Sequence, residues 1–288
     1  MSFERQYDAY REAVETYLGG LFTEKVSWAD LYESMRYSLL AGGKRIRPVL
    51  TLAFTHLGTP DWRKALPVGC AVELVHTFSL IHDDLPCMDN DDFRRGRPSN
   101  HKAYGETLAV LAGDTLLAEA FRLIADAPGL DAETRVQCVR ILSEASGASG
   151  MAAGQVLDTL HAPQTLEEIR EVHRLKTGAM IAGACQLGAT ISGTPGLSDA
   201  AETYGHKIGL AFQIQDDVLD VTADADELGK PVGSDKESGK VTYVDLFGVD
   251  KCGELVRTCT EEAISAVSAY DRNGFLSALA RSLSERRK

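Results

Sequence analysis

The chain has 288 residues, 44% of them hydrophobic, which is enough for one large domain or two small ones with a substantial core. Its 42 acidic residues outnumber 30 basic ones, for a formal charge of -12. Such a surface repels nucleic acid and anionic lipid, so neither is expected as a partner. The six cysteines (Cys70, Cys87, Cys138, Cys185, Cys252, Cys259) show no CxxC pairing and read as reduced thiols, mostly core filler. Neither a signal-peptide apolar region nor an apolar run of membrane-spanning length is expected, and the reading is a cytoplasmic protein.

In chain order the sequence reads as nearly all helix. Helices are expected at about 2–20, 28–41, 47–57, 66–84, 105–126, 132–148, 150–161, 165–191, 198–223, 241–247, 250–271 and 273–285. The run from Thr165 starts with a capping box, in which Thr165 accepts from the backbone and Glu168 reaches back. Its middle, Ala179 to Cys185, is apolar on every side, the mark of a helix buried at a bundle centre. Cys70–Ile81 and Ile208–Leu219 look similar. No composition break marks a linker, so residues 1–288 are expected to form one all-α domain, a single large bundle of about 10–13 helices around a central cavity. Two polar loops, 86–105 and 222–239, each follow an aspartate cluster. Antiparallel packing of the two preceding helices would bring both loops over one cavity mouth.

The aspartate clusters carry the chemistry. In the second, Asp216 and Asp220 are one helical turn apart and share a face, with Asp217 beside them. Like charges on one face repel, and a hard cation such as Mg²⁺, shared between one or two carboxylates and substrate phosphates, would compensate. The alternative is a solvated acidic face, against which stand the apolar neighbours Phe212, Ile214, Val218 and Leu219. In the first cluster, Pro86 ends the helix. Asp83 and Asp84 therefore fall on the last turn, and Asp89 returns from a bulged loop. An acidic loop is the alternative there.

Cations follow the acids. Arg94 and Arg95 have forks that match phosphate oxygens. Gly43, Lys44, Arg45 and Arg47 could form a phosphate cradle, with the glycines allowing close backbone approach. Lys176 in a buried helix needs an anionic partner. Lys230 and Lys240, among Gly229, Gly233 and Gly239, read either as a lid with cationic contacts or as a plain surface loop. His76 is a ligand or a satisfied core histidine; His82 is read as structural.

The stretches Ser79–Gly96 and Gly209–Asp220 resemble the first and second aspartate-rich motifs of the trans-isoprenyl diphosphate synthases. Gly43–Pro48 and Lys176-Thr177-Gly178 match two further motifs of that family, in the expected order. The resemblance covers nearly the whole chain and implies the isoprenoid synthase fold. It implies an allylic diphosphate, dimethylallyl or geranyl, held by Asp83, Asp84, Asp89, Asp216, Asp217 and Asp220 through about three Mg²⁺ ions. Arg94, Lys176 and Lys230 would neutralise the leaving group. Isopentenyl diphosphate would be held by Lys44, Arg47, His76 and Arg95 without metal. Thr177, Gln213 and the Lys176 carbonyl would face the cation. Family members are usually homodimers, and the apolar stretch Thr107–Ala120 would suit the interface. The basic end, Arg286 to Lys288, would close over the second substrate or fray.

Product length turns on the residues one turn before Asp83. Helical arithmetic puts Ser79 about 40° and Phe78 about 140° from Asp83 around the axis. An aromatic five positions before the motif, with Pro86 and Cys87 as a two-residue insertion, resembles the bacterial farnesyl diphosphate synthases. Plant-type geranylgeranyl diphosphate synthases share the insertion but carry a smaller residue at the position of Phe78. A C15 product is expected, with C20 as the alternative. A terpene cyclase would replace one aspartate cluster with an Asn/Ser/Glu motif, and a non-catalytic partner subunit would lose aspartates. Neither departure is present.

Overall fold

A computed structural model describes residues 2–222 and 241–285. Two candidate residues, Lys230 and Lys240, and the basic end from Arg286 to Lys288 lie outside the described residues. The fold is all-α as expected, with thirteen α-helices among the described residues. These are α1 Phe3–Gly19, α2 Ala29–Leu39, α3 Ile46–Gly58, α4 Leu66–Asp83, α5 Asn100–Tyr104, α6 Glu106–Ala125 and α7 Ala132–Ser146. There follow α8 Met151–Leu160, α9 Leu166–Val172, α10 Ala179–Ser192, α11 Leu197–Thr222, α12 Tyr243–Val267 and α13 Phe275–Ser284. The chain divides into two compact units. One comprises Met1–Leu52 and Asp61–Val139, the other Ala53–Pro60 and Arg140–Lys288.

In the first unit α1 buries Tyr10, Val14 and Leu18, a stripe at four-residue spacing. Tyr10 meets Trp62 edge-on, with ring centroids 4.8 Å apart. The spine is α4, in which every residue from Pro67 to Val75 is buried. The run Trp62–Asp83 is long and apolar enough to cross a membrane by length and composition, contrary to the expectation from sequence, but two thirds of its most apolar 18-residue window is buried inside the protein. It is therefore a core helix. Towards its C-terminus the burial becomes one-sided, with His76, Phe78, Ser79 and Leu80 half-buried, because this end carries the first aspartate cluster. Residue Gly113 of α6 lets that helix close on α4, since a Cβ there would collide with the His82 ring.

The polar stretch 86–105 is not a plain loop. Phe93–Arg94 (β1) and Arg97–Pro98 (β2) form a two-residue antiparallel pair, and α5 follows. The turn between the strands is made by Arg95 and Gly96, at φ 54° and 72°. Positive φ at both central residues is the turn that matches strand twist.

In the second unit α10 buries every residue from Met180 to Cys185, as its apolar sequence requires. The capping box at Thr165 is present, and Thr242 with Asp245 forms a second one at α12. The expected helix from Thr165 to Ile191 runs without a gap, but its hydrogen bonding changes partway. Residues His173–Gly178 adopt a π-helical turn between α9 and α10. Glycines make that turn possible to pack. A Cβ at Gly154 of α8 would collide with the Lys176 backbone, and one at Gly209 of α11 would stand 2.9 Å from the Gly178 Cα. Residue Gly248, at φ 75° and ψ 162°, kinks α12 between the two helices expected from sequence. Five of the six cysteines are buried free thiols, and Cys87 is exposed.

Candidate active site

In the first unit α4 ends where the sequence places its first carboxylates. The Asp89 amide donates to the Asp83 carbonyl at 2.8 Å, so Asp89 does fold back over the helix end. The three carboxylates have different surroundings. Asp83 is half-buried and Asp89 exposed. Asp84 is buried, and both of its oxygens accept from Arg94 Nε, at 2.9 and 3.2 Å, with Nη2 adding a third bond. Asp91 accepts from the same guanidinium at 3.2 Å. Burial opposes the Arg94 charge, but these carboxylates overcome it and raise its pKa.

Beside them lies a group of cations. The Arg47 Nε is buried and has no hydrogen-bond partner. Burial lowers the Arg47 pKa, Glu73 opposes that shift, and Arg95 adds to it. Burial also holds His76 well below the usual imidazole range, reinforced by Arg47, Arg95, Arg45 and Arg94. His76 is therefore neutral, able to donate from one ring nitrogen and accept at the other. Lys44 is exposed, and its carbonyl accepts from the Tyr7 hydroxyl. The Arg95 guanidinium donates to the Gly42 carbonyl and lies 3.1 Å from where a Gly43 Cβ would stand. Close approach at Gly43 is thus used by the chain's own arginine.

Arg45, read from sequence as one of three cradle cations, belongs to the core. It is 2% exposed and bonds Glu73 at 2.7 Å, Glu15 at 2.8 and 3.3 Å, and the Leu39 carbonyl at 2.8 Å. Phe78 meets the His82 ring edge-on at 4.9 Å, and the Ser79 hydroxyl donates to the His76 carbonyl at 2.9 Å. The His82 Nε2 lies 3.2 Å from the Val110 carbonyl, in keeping with a structural role.

In the second unit α11 carries Asp216 and Asp220, half-buried and one turn apart, and Asp216 accepts from Gln213 at 3.3 Å. Asp217 is buried and accepts from the Tyr243 amide at 2.9 Å. The π turn carries Lys176 and Thr177. Lys176 has the anionic partner its burial demands, Asp158 of α8, with Nζ 2.6 Å from Oδ2. The need for an acid was legible in sequence, but nothing in the spacing singled out Asp158 as the acid. Also unforeseen was Tyr243, whose ring stacks on His173 at the start of the π turn, with centroids 5.5 Å apart.

His173 has a consequence for stability. Burial pushes its pKa down to about 4, with Asp158 opposing and Lys176 adding to the shift. The unfolded chain takes up this proton near pH 6.5, whereas the folded protein resists until about 4. Stability is therefore complete above the unfolded value and is lost as pH falls from about 6.5 towards 4. His173→Phe, which keeps a ring against Tyr243, should lose about 1–2 kcal/mol less than the unaltered protein between pH 7 and pH 5. Urea unfolding at the two pH values measures this, and equal losses would show that His173 titrates normally.

Among the described residues no three His, Cys, Asp or Glu side chains form a ready-made metal cage. The donor chemistry nevertheless fits Mg²⁺. Each cluster presents carboxylate oxygens alone, and Mg²⁺ is commonly held by one or two carboxylates with the rest of its shell from phosphate and water.

A family described as polyprenyl synthetase matches residues 29–272. Over 283 residues the chain is 44% identical to a farnesyl diphosphate synthase of Geobacillus stearothermophilus, covering 95% of this chain and 94% of that one. It is 47% identical over 246 residues to a chloroplastic geranylgeranyl pyrophosphate synthase of Catharanthus roseus, covering 84% and 69%. Among solved structures, geranylgeranyl pyrophosphate synthetase of Pyrococcus horikoshii superposes with a TM-score of 0.87 at 31% identity, covering 99% of this chain and 98% of that one. Geranyltransferase of Helicobacter pylori, complexed with magnesium and isoprenyl diphosphate, gives 0.82 at 31% identity and covers 96% of each chain.

Proposed function

The chain belongs to the polyprenyl synthetase family, and from that premise we propose that it condenses allylic diphosphates head-to-tail with isopentenyl diphosphate to give farnesyl diphosphate. One observation carries this reading. In a protein with a formal charge of -12, Arg47, His76 and Arg95 lie near enough to act on one another's charge, and the buried Arg47 Nε has no partner. A buried donor on a cation without an acceptor is costly. A diphosphate supplies the missing acceptor and the missing negative charge together.

In this reading Arg47, His76, Arg95 and the exposed Lys44 bind isopentenyl diphosphate. Asp83, Asp89, Asp216 and Asp220 would hold magnesium for the allylic diphosphate, while Asp84 and Asp217 support them by fixing Arg94 and the start of α12. Magnesium, when bound, supplies Lewis-acid stabilisation of the departing diphosphate. Lys176, ion-paired with Asp158, and Arg94 add fixed positive charge where negative charge grows as the carbon–oxygen bond breaks. Lys230 and Lys240 would join them. Thr177, Gln213 and the Lys176 carbonyl turn oxygen atoms towards the allylic cation. The double bond of isopentenyl diphosphate then forms the new carbon–carbon bond, and a proton passes to the released diphosphate. The exposed Val110 and Leu111 on α6 favour pairing with a second copy of the chain.

Phe78 supports a C15 product, because its large ring is fixed against His82 one turn and a half before Asp83. Similarity to geranylgeranyl synthases favours C20 as a second reading. Incubating the purified protein with Mg²⁺, dimethylallyl diphosphate and isopentenyl diphosphate should yield farnesyl diphosphate. Phe78→Ala should shift most of the product to C20 or longer. A protein that never joins C5 units refutes the function. A variant that still stops at the original length refutes Phe78 as the floor.

A further inference from the structure

The strand pair bearing Arg94 and Arg95 cannot hold its own shape. It has two residues in each strand, and a ribbon that short is not stable alone. Its turn puts Arg95, a residue with a Cβ, into the left-handed region at φ 54°. A conformation of this kind persists only where the surroundings impose it.

Asp84 at the end of α4 holds Arg94 of the first strand, and the second strand is held by one face of α2. Residues Ser34, Tyr37 and Ser38 stand at i, i+3 and i+4, so they line up on that helix. The Tyr37 hydroxyl donates to the Pro98 carbonyl at 2.8 Å, and Pro98 pairs with Phe93. The Arg97 guanidinium lies 4.2 Å over the Tyr37 ring, and Arg97 pairs with Arg94. Just beyond the pair, Asn100 is 2% exposed and spends its amide on α2. It accepts from the Ser34 hydroxyl at 2.9 Å and donates to the Ser34 carbonyl at 2.9 Å and to Ser38 Oγ at 2.8 Å. Tyr37, Asn100, Arg94 and Arg95 also line one small cavity. The tip is tied back to the segment that follows α2, where Arg95 donates to the Gly42 carbonyl.

We propose that Tyr37 and Asn100 are positioning residues that hold the Arg95 guanidinium in place for a diphosphate, without touching the diphosphate themselves. This rests on the reading of Arg95 as a contact of isopentenyl diphosphate. The hydroxyl and the amide fix the return strand against α2, the strand fixes the turn, and the turn fixes the arginine. A guanidinium held in advance loses little freedom on binding, so loosening its support weakens binding more than turnover.

The test is a double-variant cycle on the whole protein, read in the KM for isopentenyl diphosphate, in kcat, and in the Kd for inorganic pyrophosphate. Tyr37→Phe keeps the ring under Arg97 and removes only the hydroxyl. It should raise KM and Kd about fivefold and leave kcat within about twofold. Ser38→Ala, which removes one bond to Asn100, should act in the same direction. In an Arg95→Lys background the Tyr37→Phe effect should shrink to less than about 1.5-fold, because the group being positioned has changed. An undiminished effect in that background would show that Tyr37 acts by another route and would overturn the proposal. So would an unmoved KM in Tyr37→Phe while the unaltered protein binds isopentenyl diphosphate normally. An unaltered protein that takes up neither isopentenyl diphosphate nor pyrophosphate would overturn the underlying reading of Arg95 as well.

Discussion

Replacing Asp216 with alanine is expected to lower kcat about 10³-fold, the scale of losing one preorganised electrostatic element at a charge-developing centre. The same change should leave stability nearly intact. Asp216 and Asp220 stand one turn apart on α11, both half-buried, so their charges repel. Removing Asp216 relieves a few tenths of a kcal/mol of that repulsion and gives up the bond from Gln213, worth about 1 kcal/mol, so the net change should stay within about 1 kcal/mol. A residue whose deletion costs the fold little and costs turnover about 4 kcal/mol is retained for chemistry. Asp217 provides the contrast. It is buried and accepts from the Tyr243 amide. Asp217→Ala leaves that amide without its acceptor, which costs about 1–3 kcal/mol of stability. Steady-state kinetics beside urea unfolding separates the two. Asp216→Ala with activity within tenfold of the original would remove the second cluster from the mechanism.

Arg45→Ala should destabilise the protein by about 3–5 kcal/mol, the usual cost of removing one partner from a buried ion pair. Arg45 and Glu73 are each 2% exposed. Glu73 would keep its buried charge with its nearest cation gone. Burial disfavours the Arg45 charge, and only its hydrogen bonds and ion pairs with Glu15 and Glu73 raise its pKa overall. The residue also has φ 52°, so the segment 42–47 depends on this anchor for its backbone path. Urea denaturation measures the effect. An unfolding free energy within 1 kcal/mol of the original, together with lost affinity for isopentenyl diphosphate, would return Arg45 to the phosphate cradle.

The sequence by itself determined what acts over a few residues. The capping box at Thr165, the end of α4 before Pro86, the return of Asp89 and the break near Gly248 each follow from local chemistry: side chains capping amides, a proline that cannot continue the helix, a backbone bond across six residues, and a glycine at positive φ. The shared face of Asp216 and Asp220 follows from helix geometry. The apolar run from Met180 to Cys185 dictated its own burial. Tertiary structure alone decided which charges are spent on the fold. The segment 44–47 looks like three equivalent cations, yet Arg45 is withdrawn by Glu15 and Glu73, at separations of 30 and 28 residues. Asp84 is taken up by Arg94 and Asp217 by the Tyr243 amide, and the acid that balances Lys176 proves to be Asp158 of α8. The π turn at His173–Gly178 was invisible for the same reason. Its residues read as ordinary helix, and glycines in α8 and α11 make room for it. Hydrophobic period and caps are local properties of a chain. The partner of a buried charge is set by whichever distant helix arrives beside it, and only the packed structure supplies that.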